Sequence, residues 1–275
     1  MNDVPIMSYF VDEGTTFFAH GESKGSTWAS VRPKTFLCPQ NGNRLIRDPF
    51  LGKGVDGNFH MLYTEGWCGK SFGYARSNDL LHWGEQKNEY IMQNVDMCKS
   101  VWAPEFVVDP VGQDHMVHWT AFIGNQPMIW YSHTKDFYHY MSPRVLFDPG
   151  FPVIDATVVQ DGRRFIMAFK DESKDVQAIR LAFADTLIGP YKNITRPVTP
   201  PFTEGPILSK IGGSWHLYYD RFKDNAWGCT ATENFAIWHD VPVTIPWGAR
   251  HGSICNITKR ELQKLLASNK SIMMT

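Results

Sequence analysis

The chain has 275 residues, of which 43% are hydrophobic and 20% are charged. This length and composition exclude a disordered or fibrous protein and allow one or two domains with a large buried core. The formal net charge is -1 and no block of like charges occurs, so neither nucleic acid nor an anionic membrane surface is indicated as a partner.

A turn followed by a β-strand recurs four times along the chain. Each copy has Gly or Asp in the turn and β-forming residues after it. The copies are DGNFHMLYTE from Asp56, QDHMVHWTAF from Gln113, DGRRFIMAFK from Asp161 and GGSWHLYYD from Gly212. Recurrence with a period of about fifty residues indicates a repeat architecture.

A second strand unit, which closes with an aromatic residue, recurs five times. Its first copy, TFFAHGESKGSTW, lies near the N-terminus, and the later copies follow the turn-and-strand units. The closing aromatic residues are Trp28, Trp83, Tyr140, Tyr191 and Trp238. We predict that they occupy equivalent outer positions in five repeated sheets.

Five leading strands can be stacked on one another. They are RDPFL from Arg47, WAPEF from Trp102, IDATV from Ile154, TEGPI from Thr203 and RHGSI from Arg250. The last has no strand units after it, and the units nearest the N-terminus have no leading strand, so we expect residues 8–30 to share a sheet with residues 250–257. The sequence therefore predicts an all-β fold, a five-bladed β-propeller of four-stranded sheets closed by pairing of the N- and C-terminal strands.

One short helix is predicted after the last strand. The segment TKRELQKLLAS has a capping box from Thr258 to Glu261 and apolar residues at helical spacing. Linkers are short and no shift in composition divides the chain, so we expect residues 1–275 to form a single domain.

The sequence leaves the cellular compartment open. No stretch of about eighteen apolar residues predicts a membrane span. The N-terminus MNDVPIMSYF shows no signal peptide, which is typical of a cytoplasmic protein or of an exported one whose leader has been removed. The five cysteines are dispersed without a CxxC pair, which argues against a disulfide framework.

The second position of the stacked strands holds an ionisable residue in four repeats. These residues are Asp48, Asp155, Glu204 and His251, and Ala103 is the exception. Pseudo-symmetry would bring equivalent side chains together around the central axis. Each residue alone could simply satisfy a turn. A cluster of carboxyl groups whose pKa values differ is typical of glycoside cleavage, in which one carboxyl is protonated and another activates water.

The motifs, taken in order, resemble those of glycoside hydrolase family 43, whose members include β-xylosidases, α-L-arabinofuranosidases and arabinanases. The motifs are RDPF, DGNFHMLYTE, SNDLLHW, WAPEF, IDATVV, TEGPI and RHGSI, and they run through nearly the whole chain. The resemblance implies an inverting hydrolase in which Asp48 is the general base, Asp155 tunes a pKa and orients, and Glu204 is the general acid. The substrate would be a β-xyloside or an α-L-arabinofuranoside.

Further site residues follow from the same motifs. We expect Trp102, Glu105, Arg250 and His251 to contact the sugar, and strand alternation points Glu105 the same way as Ala103, farther along the strand. The resemblance places His251 at the base of the funnel near a calcium ion or a water cluster. A metal-linked role and a hydrogen-bonded core role both stay open for His251, because calcium prefers oxygen ligands.

Two other functions stay open on the sequence alone. One is a different funnel-shaped five-bladed glycosidase of the fructosidase or anhydro-galactosidase class. The other is a non-catalytic propeller that binds carbohydrate. An oligosaccharide or glycoside is the expected partner in each case, and the hydrolytic reaction requires no cofactor, although a structural calcium ion at the axis is one expectation. The segment GWCGKS at residues 66–71 has too few residues between its glycines to act as a phosphate loop.

Overall fold

The structure is a computed structural model that describes residues 3–22, 25–31 and 36–268, apart from the side chain of Glu85. These residues form nineteen β-strands and one α-helix. In chain order they are β1 (Asp3–Phe10), β2 (Thr16–Gly21), β3 (Trp28–Ser30), β4 (Arg47–Lys53), β5 (Phe59–Thr64), β6 (Phe72–Ser77), β7 (Gly84–Glu89), β8 (Cys98–Val108), β9 (His115–Ile123), β10 (Gln126–Thr134), β11 (Arg144–Phe147), β12 (Val153–Asp161), β13 (Arg164–Asp171), β14 (Ala178–Ala184), β15 (Glu204–Ile211), β16 (Ser214–Arg221), β17 (Ala226–Thr232), β18 (His239–Asp240), β19 (Arg250–Thr258) and α1 (Lys259–Ala267).

The strands form five antiparallel sheets, the blades of a five-bladed β-propeller, which confirms the predicted fold. Blade 1 contains β4 to β7, blade 2 contains β8 to β11, blade 3 contains β12 to β14, and blade 4 contains β15 to β18. Blade 5 has the order β19-β1-β2-β3. The innermost strands are therefore β4, β8, β12, β15 and β19. We call the face where these five strands begin the ring face.

Blade 5 closes the propeller with strands from both ends of the chain. Strand β1 pairs antiparallel with β19, from Asp3 opposite Thr258 to Phe10 opposite Arg250. The predicted closure is confirmed, and the pairing extends further toward the N-terminus than residue 8. Two serines fix this blade to blade 1, because Ser8 Oγ donates to the Pro49 carbonyl at 2.5 Å and Ser253 Oγ accepts from the Leu51 amide at 2.7 Å.

Blade 3 has three strands instead of the predicted four. Where a fourth strand would run, a single bridge joins Phe183 and Lys192. This segment, IGPYKNITRPVTPP, contains four prolines. Proline has no N–H to donate to a ladder, so the segment is unsuited to a regular outer strand.

The hydrophobic core lies between the blades, in five clusters that each join two neighbouring sheets. The five closing aromatic residues each belong to a different cluster, as predicted. Four of them contact a ring of the preceding blade: Trp28 with Tyr218, Trp83 with Phe18, Tyr140 with Phe72 and Tyr191 with Phe147. Burial of these large rings between sheets stabilises the radial arrangement.

The C-terminal helix α1 begins at the predicted capping box. Thr258 accepts from the Glu261 amide, and the Glu261 side chain accepts from the Thr258 amide. Leu265 and Leu262 pack the helix onto the cluster between blades 5 and 1. No helix in the described part of the chain is long and apolar enough to cross a membrane.

We predict that Gly252→Ala strongly destabilises the protein through the closing pair. A Cβ atom at Gly252 would lie 1.8 Å from the Ser8 carbonyl oxygen, so β1 would have to move away from β19. We expect the free energy of unfolding to fall by roughly 3 kcal/mol, at the upper end of overpacking effects. Urea denaturation followed by fluorescence measures this loss.

The matched control is Gly84→Ala in the outer strand β7. The nearest atom to its added Cβ is the Arg76 carbonyl oxygen, at 4.0 Å. Equal losses in the two variants, or none in Gly252→Ala, would show that the closing pair does not limit stability.

Candidate active site

Each inner strand breaks its ladder register close to the ring face. In blades 1 to 4 two residues are skipped, and the first of the two has a positive φ: 49° at Asp48, 44° at Ala103, 53° at Asp155 and 58° at Gly205. In blade 5 the skipped residue is His251. Non-glycine residues rarely adopt this conformation, and such strain is concentrated at functional sites. The bulges direct these five positions toward the propeller axis.

Glu204 lies one position earlier than the stacked sequences predicted. The ladder aligns Gly205, not Glu204, with Asp48 and Asp155, and it pairs Glu204 with Asp220 ahead of the bulge. The cause is steric, because a Cβ atom at position 205 would lie 2.5 Å from His251 Cγ while φ there is positive. Only glycine fits that position, so blade 4 supplies its carboxyl group from the preceding residue.

A ring of contacts passes from each blade to the next. On the second strand of each blade, one residue reaches the inner strand of the following blade. These contacts join Thr64 Oγ1 to the Ala103 amide at 2.7 Å, Thr120 Oγ1 to the Asp155 amide at 3.1 Å, Lys170 Nζ to Glu204 Oε2 at 3.0 Å, Asp220 Oδ2 to Arg250 Nε at 2.5 Å, and the Phe10 ring to the Arg47 guanidinium at 5.4 Å. Three of the predicted site residues, Asp155, Glu204 and Arg250, are therefore contacted by the preceding blade.

Asp48 and His251 form an ion pair in the buried centre of the ring. His251 Nδ1 lies 3.1 Å from Asp48 Oδ1, and Thr64 donates to Asp48 Oδ2 at 2.7 Å. Burial opposes ionisation of Asp48, but its hydrogen bonds and the nearby positive charges outweigh burial and hold the pKa of Asp48 below its ordinary value. Burial likewise opposes the charge on His251, yet the adjacent carboxylates raise its pKa to about 9. At neutral pH the pair is a carboxylate and an imidazolium.

Asp155 occupies the equivalent position in blade 3 and is nearly fully buried. Its Oδ2 accepts from the Gly205 amide at 3.2 Å, which ties it to the strand that carries Glu204. Burial raises the pKa of Asp155 to about 6, and the charges of Asp48 and Glu204 act in the same direction. Asp155 and Asp48 thus differ in proton affinity because only Asp48 has a direct imidazolium partner.

Glu204 contacts a cation through each of its two oxygens. Lys170 Nζ lies 3.0 Å from Oε2, and Arg250 lies 3.4 Å from Oε1. Arg250 is oriented by Asp220, which is buried. Lys170 is buried too, and although burial lowers its pKa, Glu204 and Glu172 raise it overall. The Glu204 side chain is 22% exposed, twice the exposure of Asp48.

Glu105 lies behind the ring and not at its mouth. It is 6% exposed and lines an axial cavity of about 270 Å³ together with Thr157 and Ser253. Burial raises the pKa of Glu105 to about 8, so the carboxyl group is largely neutral at pH 7. Contact between Glu105 and the substrate stays a prediction. Because the carboxyl group is buried, its position favours an electrostatic effect on His251 and Asp155.

Two tryptophans form one wall beside the ring. Trp102 is half-buried, and its Nε1 donates to the Trp67 carbonyl at 3.1 Å. The rings of Trp67 and Trp102 meet edge to face at 5.9 Å, and the Arg47 guanidinium stacks on Trp67 at 3.9 Å. Trp67 was missed at the sequence level because it lies in GWCGKS, outside every repeat. Lys170 and Asp220 were not predicted as site residues, because they lie on second strands and not on the stacked leading strands. Each closes a turn-and-strand unit, DGRRFIMAFK and GGSWHLYYD, and that shared position was the available signal.

A calcium-linked role for His251 stays a prediction. The His251 Nδ1 atom lies 3.1 Å from Asp48 Oδ1, so this nitrogen is engaged in the ion pair. Among the described residues, the one group of three metal-binding side chains with ligand atoms within 4.8 Å of one another is Asp109, Asp114 and His133. That group lies at the opposite face. Calcium elsewhere on the axis stays a prediction.

A family model for a probable glycosyl hydrolase domain, related to glycoside hydrolase family 43, matches residues 6–263. The chain belongs to this family. It is therefore a glycosidase, an enzyme that hydrolyses O-glycosyl bonds, and its substrate is a glycan. A search of curated proteins found no match.

Solved structures similar to this glycosyl hydrolase domain share its fold. A thermostable family-43 glycoside hydrolase has a TM-score of 0.57 at 17% identity, over 71% of each chain. The α-L-arabinofuranosidase from Lactobacillus brevis has a TM-score of 0.53 at 17% identity, over 72% of this chain and 73% of that one. A family-43 β-1,3-galactosidase has a TM-score of 0.60 at 11% identity, over 84% and 86%. At these identities the similarity concerns the fold alone.

We predict that the stability of this glycosyl hydrolase domain falls between pH 6.5 and pH 9 because His251 loses its proton. Its folded pKa of about 9 lies above the ordinary value of 6.5, so its contribution is complete below pH 6.5 and is lost as pH rises through 9. The loss should be on the order of 1–3 kcal/mol. Urea denaturation at pH 6.5, 7.5 and 9 measures it.

The comparison variant is His251→Gln, which keeps a hydrogen-bonding side chain but cannot titrate. Groups remote from His251 affect both proteins alike, so the difference between the two pH curves reports His251 together with Glu105 and Asp155, whose pKa values its charge lowers. Parallel curves would contradict the assigned ion pair.

Proposed function

We propose that the protein cleaves plant-type pentosides, β-xylosides or α-L-arabinofuranosides, by a single displacement that inverts the anomeric carbon. One observation carries this proposal: three blades bring Asp48, Asp155 and Glu204 to one ring, and their surroundings differ. A single-displacement mechanism needs such a difference, because one carboxyl group gives a proton while another takes one.

Asp48 is the proposed general base. Its ion pair with His251 and its hydrogen bond from Thr64 support an ionised carboxylate at neutral pH. An ionised carboxylate can take a proton from a water molecule as that water attacks the anomeric carbon. The imidazolium holds the carboxylate in one orientation, so the base does not have to be reoriented during the reaction.

Glu204 is the proposed general acid. It is the most exposed of the three carboxyl groups, so it can reach the oxygen of a departing group. A substrate has to bring that oxygen within hydrogen-bond distance in competition with Lys170 and Arg250. Asp155 is the proposed modulator, since its amide contact at Gly205 and its raised pKa of about 6 link its charge to the strand of Glu204.

More than one sugar is a candidate substrate. Similar structures include an α-L-arabinofuranosidase and also a β-1,3-galactosidase. Galactosides are thus the second candidate substrate. Turnover of aryl β-xylosides, aryl α-L-arabinofuranosides and aryl β-galactosides under identical conditions separates the two. Faster turnover of the galactoside than of both pentosides would replace the pentoside assignment.

We predict net inversion at the anomeric carbon. Proton NMR during the first turnovers of the best substrate should show the product anomer opposite to that of the glycoside, before mutarotation mixes the two. An inverting enzyme activates water directly and forms no covalent intermediate. Net retention would instead indicate a nucleophile, as in the fructosidase class.

We predict that loss of Glu204 and loss of Asp48 respond differently to the leaving group. Glu204→Ala should slow hydrolysis of an oligosaccharide by about a hundred- to ten-thousand-fold. It should slow a dinitrophenyl glycoside far less, because that leaving group departs without a proton. Asp48→Ala should slow both substrates alike, because water attack is always required. The measurement is kcat/KM for each variant on each substrate, after circular dichroism has shown that both variants fold.

The reverse pattern would exchange the two roles. A leaving-group effect in Asp48→Ala, with equal losses in Glu204→Ala, would make Asp48 the acid. Equal losses for both variants on both substrates would remove the acid–base assignment altogether.

A further inference from the structure

Trp247 is the most exposed large hydrophobic side chain in the described part of the chain, with 94% of its surface accessible. It lies on the ring face, in the segment that leads into β19. Arg250 follows three residues later, and three residues span about 11 Å at most. Since Arg250 contacts Glu204, the exposed indole is anchored close to the carboxyl ring.

The exposure of Trp247 is built into an ordered turn. The Ala249 amide donates to the Pro246 carbonyl at 3.2 Å, and Gly248 has φ of 76°. A positive φ at the third residue is typical of a type II turn, in which Trp247 is the second residue. Its side chain therefore points away from the chain reversal and into solvent.

Contacts on both sides of the turn hold it against blades 4 and 5. Before the turn, Thr244 donates its amide to the Ser26 carbonyl at 2.8 Å and accepts from the Trp28 amide at 2.9 Å. After the turn, Trp227 Nε1 donates to the Ala249 carbonyl at 2.7 Å. The protein thus presents an indole in a fixed position, which lowers the entropy lost when a ligand binds.

Two other exposed aromatic residues on the ring face have one side occupied by a cation. The Arg47 guanidinium lies 3.9 Å from the ring of Trp67, and Lys223 Nζ lies 3.1 Å from the ring of Phe202. Within the described residues, no cation or aromatic ring stacks on Trp247. A flat, exposed aromatic surface next to a glycan-cleaving site suits the apolar face of a sugar ring.

We propose that Trp247 is an outer binding platform for a sugar unit of an extended glycan chain, beyond the two units that flank the bond that is cleaved. This inference rests on the proposed function and specifies its substrate class: oligosaccharides of several units or polysaccharides, and not only small glycosides. Trp247 contacts no reacting atom in this role. Its contribution is to the binding of long chains.

The test compares Trp247→Ala with Tyr138→Ala, which removes an exposed aromatic ring at the opposite face. The probes are xylohexaose, arabinohexaose and galactohexaose, the three corresponding disaccharides, and the 4-nitrophenyl glycosides. For the hexasaccharide that is cleaved, Trp247→Ala should lower kcat/KM about tenfold, equivalent to about 1.4 kcal/mol. The disaccharide and the nitrophenyl glycoside should be cleaved at wild-type rates by both variants.

A binding measurement distinguishes failure of the Trp247 platform from failure of the proposed function. Calorimetry with the same hexasaccharides should give a Kd about tenfold weaker for Trp247→Ala than for the wild type or Tyr138→Ala. If the wild type cleaves no probe but still shows this difference, the proposed function fails and the binding platform stands. If the wild type binds no hexasaccharide, or if Trp247→Ala binds as tightly as the wild type, the platform is wrong whatever the activity.

A second copy of the chain is the competing occupant of this surface. Light scattering of the wild type and of Trp247→Ala decides between the two. An assembly of wild-type chains that dissociates in Trp247→Ala would overturn the glycan platform, because the indole would then be a subunit contact.

Discussion

The antiparallel pairing of β1 with β19 is the constraint on which the rest of the structure depends. It joins the two ends of the chain in one blade and so removes the two free edges that an open ring would have. The contacts around the ring then form a closed sequence, in which Asp220 holds Arg250 and Phe10 faces Arg47. Glu204 and Arg250 are thus each held by the blade before them, through Lys170 and Asp220, and the position of the whole set depends on closure.

Two of the three carboxyl groups at the ring have a cationic partner. His251 compensates Asp48, while Lys170 and Arg250 compensate Glu204. Asp155 has no such direct partner, and burial raises its pKa to about 6. Asp48 and Asp155 thus differ in proton affinity because their neighbours differ, and acid–base chemistry at one centre requires such a difference between carboxyl groups.

The similar structures share the propeller at 11 to 17% identity, so little besides the core pattern is needed to specify it. Under the proposed function, substrate choice depends on the segments that surround the ring face. In this protein those segments carry Trp67 and Trp247, which lie outside the repeated strands. A scaffold held by interblade packing can present different loops without loss of its core.

The sequence by itself determined the repeated strands, the closing blade, the helix cap and the identities of the three ring carboxyl groups. These features depend on local periodicity and on short motifs, which can be read along one chain segment. Only the tertiary structure decided that Gly205 takes the bulge position beside His251, that Lys170 and Asp220 contact Glu204 and Arg250, and that Glu105 is buried. The physical reason is that such contacts depend on ladder register and on the rotation between neighbouring blades, neither of which is fixed by the spacing of residues along the chain.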